Sequence, residues 1–97
     1  MLPHLRIESA QGETLVTICD EKLLGKRFTQ GEMTLEVDPS FYKGEEVSVD
    51  RCMEALKDAT IANMVGSIVE HAIEAGLVKI ENVIELEKVP HAQIVRM

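Results

Sequence analysis

Tryptophan is missing from this 97-residue chain, and its aromatics, Phe28, Phe41 and Tyr42, make up only 3% of it. The core is therefore expected to be aliphatic, built on Val, Ile, Leu, Met and Ala. No stretch approaches the ~20 consecutive apolar residues of a membrane-spanning helix. The opening MLPHLRIES lacks the unbroken apolar run of a secretory signal. A cytoplasmic protein with no membrane partner is expected. Cysteine is scarce: Cys19 and Cys52 stand alone with no CxxC, which excludes a zinc ribbon. Both thiols are expected reduced and buried. Positive charge is also thin. The net charge is −7, and Lys22, Lys26 and Arg27 form the one dense cationic group. Such a balance repels nucleic-acid backbones at long range but leaves room for a local basic patch.

The signatures of common chemistry are missing too. LLGKRF contains Gly25-Lys26, but Asp20 stands where a phosphate loop needs its first glycine, and Arg27 replaces the Ser or Thr. There is no GxGxxG and no GxSxG. His4, His71 and His91 lie in separate elements without short ligand spacing, so neither a metal site nor a cofactor is read from them. No catalytic residue is assigned.

What is present suits one α+β domain over residues 1–97. Apolar residues are 45% of the chain and charged residues 28%, ordinary for a globular domain. Residues 4 to 8 alternate, Leu5 and Ile7 against His4, Arg6 and Glu8, and ETLVTIC (13 to 19) reads as a more central strand. A turn around Gly12 makes them a hairpin. Asp20 to Gly25 looks like one helical turn capped by Asp20 and ended by Gly25. Residues 32 to 37 alternate again, until Asp38-Pro39 stops the strand. Ser48 caps a helix with the stripe Val49, Cys52, Met53 and Leu56. The spacing of Ile61, Met64, Val65, Ile68, Val69, Ala72 and Ile73 predicts a second helix of more than three turns, ended by Gly76 and carrying Gly66 inside it. Residues 82 to 87 and 92 to 96 read as strands, separated by a break at Val89-Pro90. The expected order is β-β-β-α-α-β-β: a mostly antiparallel sheet of about five strands with two helices on one face.

Two stretches invite a functional reading. In Phe41-Tyr42-Lys43-Gly44, either Phe41 plugs the core with Tyr42 covering it, or Tyr42 and Lys43 are presented by the bend at Gly44. In Pro90-His91-Ala92-Gln93, the two polar side chains share one face of a strand. They are either the polar start of a bulged strand or a pair that bonds to the loop carrying Asp20, Gly25 and Lys26, or to the 41–44 loop, to shape a shallow cleft.

ETLVTICDEKLLGK, FYKGEEV, ATIANMVG, AIEAGLV and VPHAQIVR together resemble, in order and spacing, the archaeal family called domain of unknown function 424. The resemblance runs from about residue 5 to residue 96. It implies an archaeal cytoplasmic protein of this size and supplies no reaction. The candidate binding residues are Asp20, Gly25, Lys26, Tyr42, Lys43, Gly44, His91 and Gln93. Three uses are open. The first is a non-catalytic interaction module, self-associating or part of a larger complex, because an apolar terminal strand is a hazard as a bare edge. The second is an RNA-associated factor using Lys22, Lys26, Arg27 and Lys43, with Tyr42 stacking on a base. The third is a small enzyme or ligand binder with His91 as general base beside Asp20 or Lys26.

Overall fold

The alternating start of the chain forms the expected hairpin. In the computed structural model, which describes residues 1–96, strand β1 (His4–Ala10) pairs antiparallel with β2 (Glu13–Cys19), from Ala10↔Glu13 to His4↔Cys19. Gln11 and Gly12 turn the chain with φ of 51° and 81°, the two positive values that suit a two-residue hairpin loop. A 3-10 turn, Glu21–Leu23, follows, but Asp20 makes no side-chain cap to it. The chain then makes a second hairpin, β3 (Arg27–Gln30) with β4 (Met33–Glu36). Its β3 strand has no apolar alternation, and the sequence did not announce it. Asp38 Oδ1 accepts from the Ser40 amide at 2.9 Å and starts the short helix α1 (Pro39–Tyr42). A two-residue strand, β5 (Glu45–Glu46), leads to α2 (Val49–Asp58), where Ser48 Oγ accepts from the Arg51 amide at 3.1 Å. That cap and the buried Cys52 and Leu56 are as the spacing predicts.

The expected long second helix is instead a strand and a shorter helix. Ile61–Val65 is β6, and only Ile68–Glu74 is helical, as α3. Gly66 separates them with φ of 101°, a conformation that excludes a helix interior. The apolar spacing misled because β6 buries residues on both of its faces: Ala62 and Met64 on one, Val65 on the other. Their sum with Ile68, Val69 and Ala72 imitates a helical stripe. The end of α3 is as expected. Gly76 (φ 75°) follows it, its amide bonding Ile73 O at 3.0 Å while the Leu77 amide bonds Ala72 O at 2.9 Å, the paired bonds of a Schellman ending.

The last two strands are β7 (Ile84–Leu86) and β8 (Val89–Val95), joined at Glu87-Lys88 with φ of 51° and 68°. Pro90 does not break β8. It lies inside the strand opposite Glu85 of β7, and its carbonyl still accepts the Gly66 amide at 2.9 Å. Arg96 closes the chain onto α2, donating from one guanidinium nitrogen to the Leu56 and Ala59 carbonyls at 2.7 and 2.6 Å. These are carbonyls that a helix end leaves without partners.

The strands assemble in the order β5-β1-β2-β6-β8-β7, with β3-β4 as a separate pair. The protein is thus α+β with a mostly antiparallel sheet; β2 and β6 form its parallel pair, and the main sheet has six strands rather than about five. α2 and α3 cover one face, packing Leu56, Ile68 and Val69 against Val16, Ile18, Met64 and Ile94. At one end of the other face, Cys19 and Val65 pack under Leu23, Val37 and Tyr42 from the 3-10 turn, the second hairpin and α1. No helix among the described residues is long and apolar enough to cross a membrane.

Candidate functional site

Asp20, Gly66 and Pro90 converge where β2, β6 and β8 lie side by side. The Asp20 amide bonds Val65 O at 3.3 Å, and the Gly66 amide bonds Pro90 O at 2.9 Å. The Asp20 carboxylate turns away from its own helical turn. It accepts from the Ser67 amide at 2.7 Å and the Ser67 hydroxyl at 2.9 Å. Asp20 therefore caps α3, not the 3-10 turn as expected. Gly25 does end that turn (φ 82°), and its amide bonds Val37 O at 2.7 Å while the Val37 amide bonds Lys26 O at 2.9 Å. The Gly25-Lys26 backbone thus clips the second hairpin in place, and the Lys26 side chain is exposed.

His91 and Gln93 do share a face of β8, but neither bonds to the predicted loops. His91 Nδ1 lies 3.0 Å from Met64 O, and Gln93 Nε2 donates to Asn63 Oδ1 at 2.7 Å. Both partners sit on β6, Asn63 directly across the ladder from Gln93 and Met64 one position along from the residue opposite His91. The proposed cleft between His91 and those loops is not formed by these bonds. Gln93 instead borders a groove of about 310 Å³ with Lys79 and Asn82. Asn63, outside the candidate set, is the residue that sequence reasoning missed here. Only the strand order reveals it.

Phe41 and Tyr42 exchange their expected roles. Tyr42 is 5% exposed and Phe41 48%, with the rings edge-to-face at 5.3 Å. Tyr42 is therefore not presented for stacking on a base. Lys22, Lys26, Arg27 and Lys43 are exposed as the RNA reading requires, but that reading loses its ring. Gly44 has a positional reason: a Cβ there would stand 2.7 Å from the Leu5 carbonyl carbon. Both thiols are buried, and burial pushes Cys19 up to about 12 and Cys52 to about 11. Thiols so protonated are poor nucleophiles.

Among the described residues, His4 and Thr17 are the buried polar side chains outside the candidate set, and His4 is the ionisable one. It is 4% exposed, with Nδ1 3.1 Å from Gly44 O and Nε2 3.7 Å from Glu21 Oε1. Next to it, a cleft of about 290 Å³ is walled by Asp20, Glu21, Lys22, Ser67 and His71. Ligand-spacing rules overlook such a group because its members come from distant parts of the chain.

No curated protein matches this chain. Among solved structures it is similar to the crystal structure of an uncharacterized conserved protein from Methanopyrus kandleri. The identity is 27%, the match covers 100% of this chain and 95% of that one, and the TM-score is 0.79. The family described as protein of unknown function (DUF424) matches over residues 8–97, nearly the whole fold, and the chain belongs to that family.

Proposed function

We propose that this protein is a non-catalytic interaction module that pairs with a second copy of itself through the open part of its sheet. One observation carries the reading. Leu15, Ile61 and Val95 are direct register neighbours on β2, β6 and β8. They lie on the face opposite the helices and belong to neither apolar cluster. Val95 is 68% exposed. The adjacent row is Arg6, Thr17, Asn63 and Gln93, again in register.

The pattern suits a self-complementary contact. A two-fold interface presents the same patch from both copies. Here the patch has an apolar row, a polar row in which Asn63 and Gln93 both donate and accept while Thr17 is buried, and the ion pair of Arg6 with Glu8 at 2.6 Å. Pairing through the sheet edge is the competing arrangement, because β7 covers the terminal strand β8 only over residues 89–91 and, among the described residues, leaves 92–95 without a strand on that side. The outer strands β5 and β7 are two and three residues long and carry Glu45, Glu46 and Glu85. Short, charged edge strands resist further pairing.

Sedimentation equilibrium at micromolar concentration tests the reading. A dimer is expected for the natural chain, with Val95→Glu shifting it to monomer while the circular dichroism spectrum is unchanged. A natural chain that stays monomeric throughout that range would overturn it.

A further inference from the structure

His4 is 4% exposed, and its Nε2 has no hydrogen-bond partner, the one buried side-chain polar atom so left among the described residues. Buried polar atoms in native folds are nearly always satisfied. The other ring nitrogen sharpens the problem. Nδ1 lies 3.1 Å from Gly44 O and 3.3 Å from Gly44 N, contacts that require opposite tautomers. With the proton on Nδ1, donated to the nearer carbonyl, Nε2 aims a bare lone pair at Glu21 Oε1, 3.7 Å away. With the proton on Nε2, that same distance is too long for a hydrogen bond. Neither neutral form satisfies the ring, and the doubly protonated ring reaches Glu21 only as an ion pair at 3.7 Å.

A cation between the ring and the carboxylates satisfies it, and we propose that His4, Glu21 and Glu46 form a site for a divalent transition-metal ion of the Zn²⁺ kind. Their ligand atoms all lie within 4.8 Å of one another. Bonds of about 2.0–2.2 Å in a tetrahedral site separate ligand atoms by about 3.3–3.6 Å. The 3.7 Å between Nε2 and Glu21 Oε1 is already close to that, and the exposed Glu46 closes the rest by rotating its side chain. The backbone prepares the arrangement. Glu46 is the register partner of His4 across β1 and β5, and Glu21 arrives on the 3-10 turn after β2. Gly44 brings its carbonyl onto Nδ1, the backbone support that typically orients a metal-ligating histidine and leaves Nε2 free for the ion.

The donor set selects the ion. One imidazole and two carboxylates suit Zn²⁺, Mn²⁺ or Fe²⁺, and no thiolate is present to favour Cu(I). The two glutamates carry the negative charge that binding neutralises, on a chain whose net charge of −7 already attracts cations. Three protein ligands leave a fourth position for water.

Calorimetric titration of Zn²⁺ into the chelator-treated full chain tests the site. One Zn²⁺ per chain is expected, with Glu21→Gln and Glu46→Gln each weakening binding at least ~10-fold. Both side chains reach solvent, so neither substitution threatens folding. In the natural chain, ¹⁵N NMR of the imidazoles is expected to shift His4 Nε2 on metal addition and to leave His71 and His91 unmoved. No uptake, uptake that survives both substitutions, or a shift confined to His71 or His91 would each overturn the proposal.

Discussion

Asp20 and Ser67 are joined by two hydrogen bonds across 47 residues of sequence: Oδ2 accepts the Ser67 amide at 2.7 Å and Oδ1 the Ser67 hydroxyl at 2.9 Å. The bonds tie the end of β2 to the first turn of α3. Asp20→Ala leaves that turn without its acceptor and is expected to cost about 1–2 kcal/mol, the usual range for a lost helix cap. Asp20→Asn keeps one oxygen and should lose less. Urea denaturation of the three proteins measures both. Equal losses would show that one neutral oxygen does not replace the carboxylate in holding the turn.

Gly66 stands under the same carboxylate. A Cβ there would come 2.6 Å from Asp20 Cγ and 2.7 Å from Leu23 Cδ1, on a backbone at φ 101°. Gly66→Ala therefore combines backbone strain, about 1–3 kcal/mol, with displacement of the cap. Its loss should exceed that of Asp20→Ala. The double variant should lose less than the sum of the two, because removing the carboxylate removes part of the clash. Strict additivity in the urea midpoints would contradict this coupling.

That glycine also marks where the sequence could be misread. Periodicity alone made residues 61 to 73 one helix, since a strand buried on both faces and a following helix together repeat like a helical stripe. Gly66 was the opposing signal: in a helix interior it costs up to ~1 kcal/mol relative to Ala, whereas at φ 101° it is the residue that turns the chain. Local signals were reliable where the cause is local. Gly12 in its hairpin, Ser48 as a cap and Gly76 behind α3 all act within a few residues. The partners of His91 and Gln93, and the grouping of His4 with Glu21 and Glu46, depend on which strands lie side by side. Alternation within one strand carries no information about its neighbour.

Ile68 tests the corrected placement of α3. It is 1% exposed and packs in the cluster between the helices and the sheet. Ile68→Ala removes three buried carbons from a close-packed site, and the expected cost is ~2–5 kcal/mol from lost burial plus the cavity left behind. That is a large share of the ~5–15 kcal/mol typical of a domain. A loss below ~1 kcal/mol in chemical denaturation would mean that the cavity collapses, which close packing on both sides opposes.

The two thiols make stability depend on pH at the alkaline end. Burial raises Cys19 from 9.0 to about 12, with the neighbouring Asp20 charge adding to the shift. Burial raises Cys52 from 9.0 to about 11, partly offset by Arg51. Tyr42 is raised too, again first by burial. In each case the folded chain keeps a proton that the unfolded chain has released. Below about pH 9 both states hold the thiol protons, and the contribution to stability is complete. As pH rises from 9 towards 12 the unfolded state is favoured, by at most about 1.4 kcal/mol per pH unit for each thiol. Urea midpoints are therefore expected to be flat with respect to these groups on the neutral side and to fall steeply above pH 9. Cys52→Ala should make that fall shallower, because one of the three releasing groups is gone. An equally steep fall in the variant would place the alkaline sensitivity elsewhere than in Cys52.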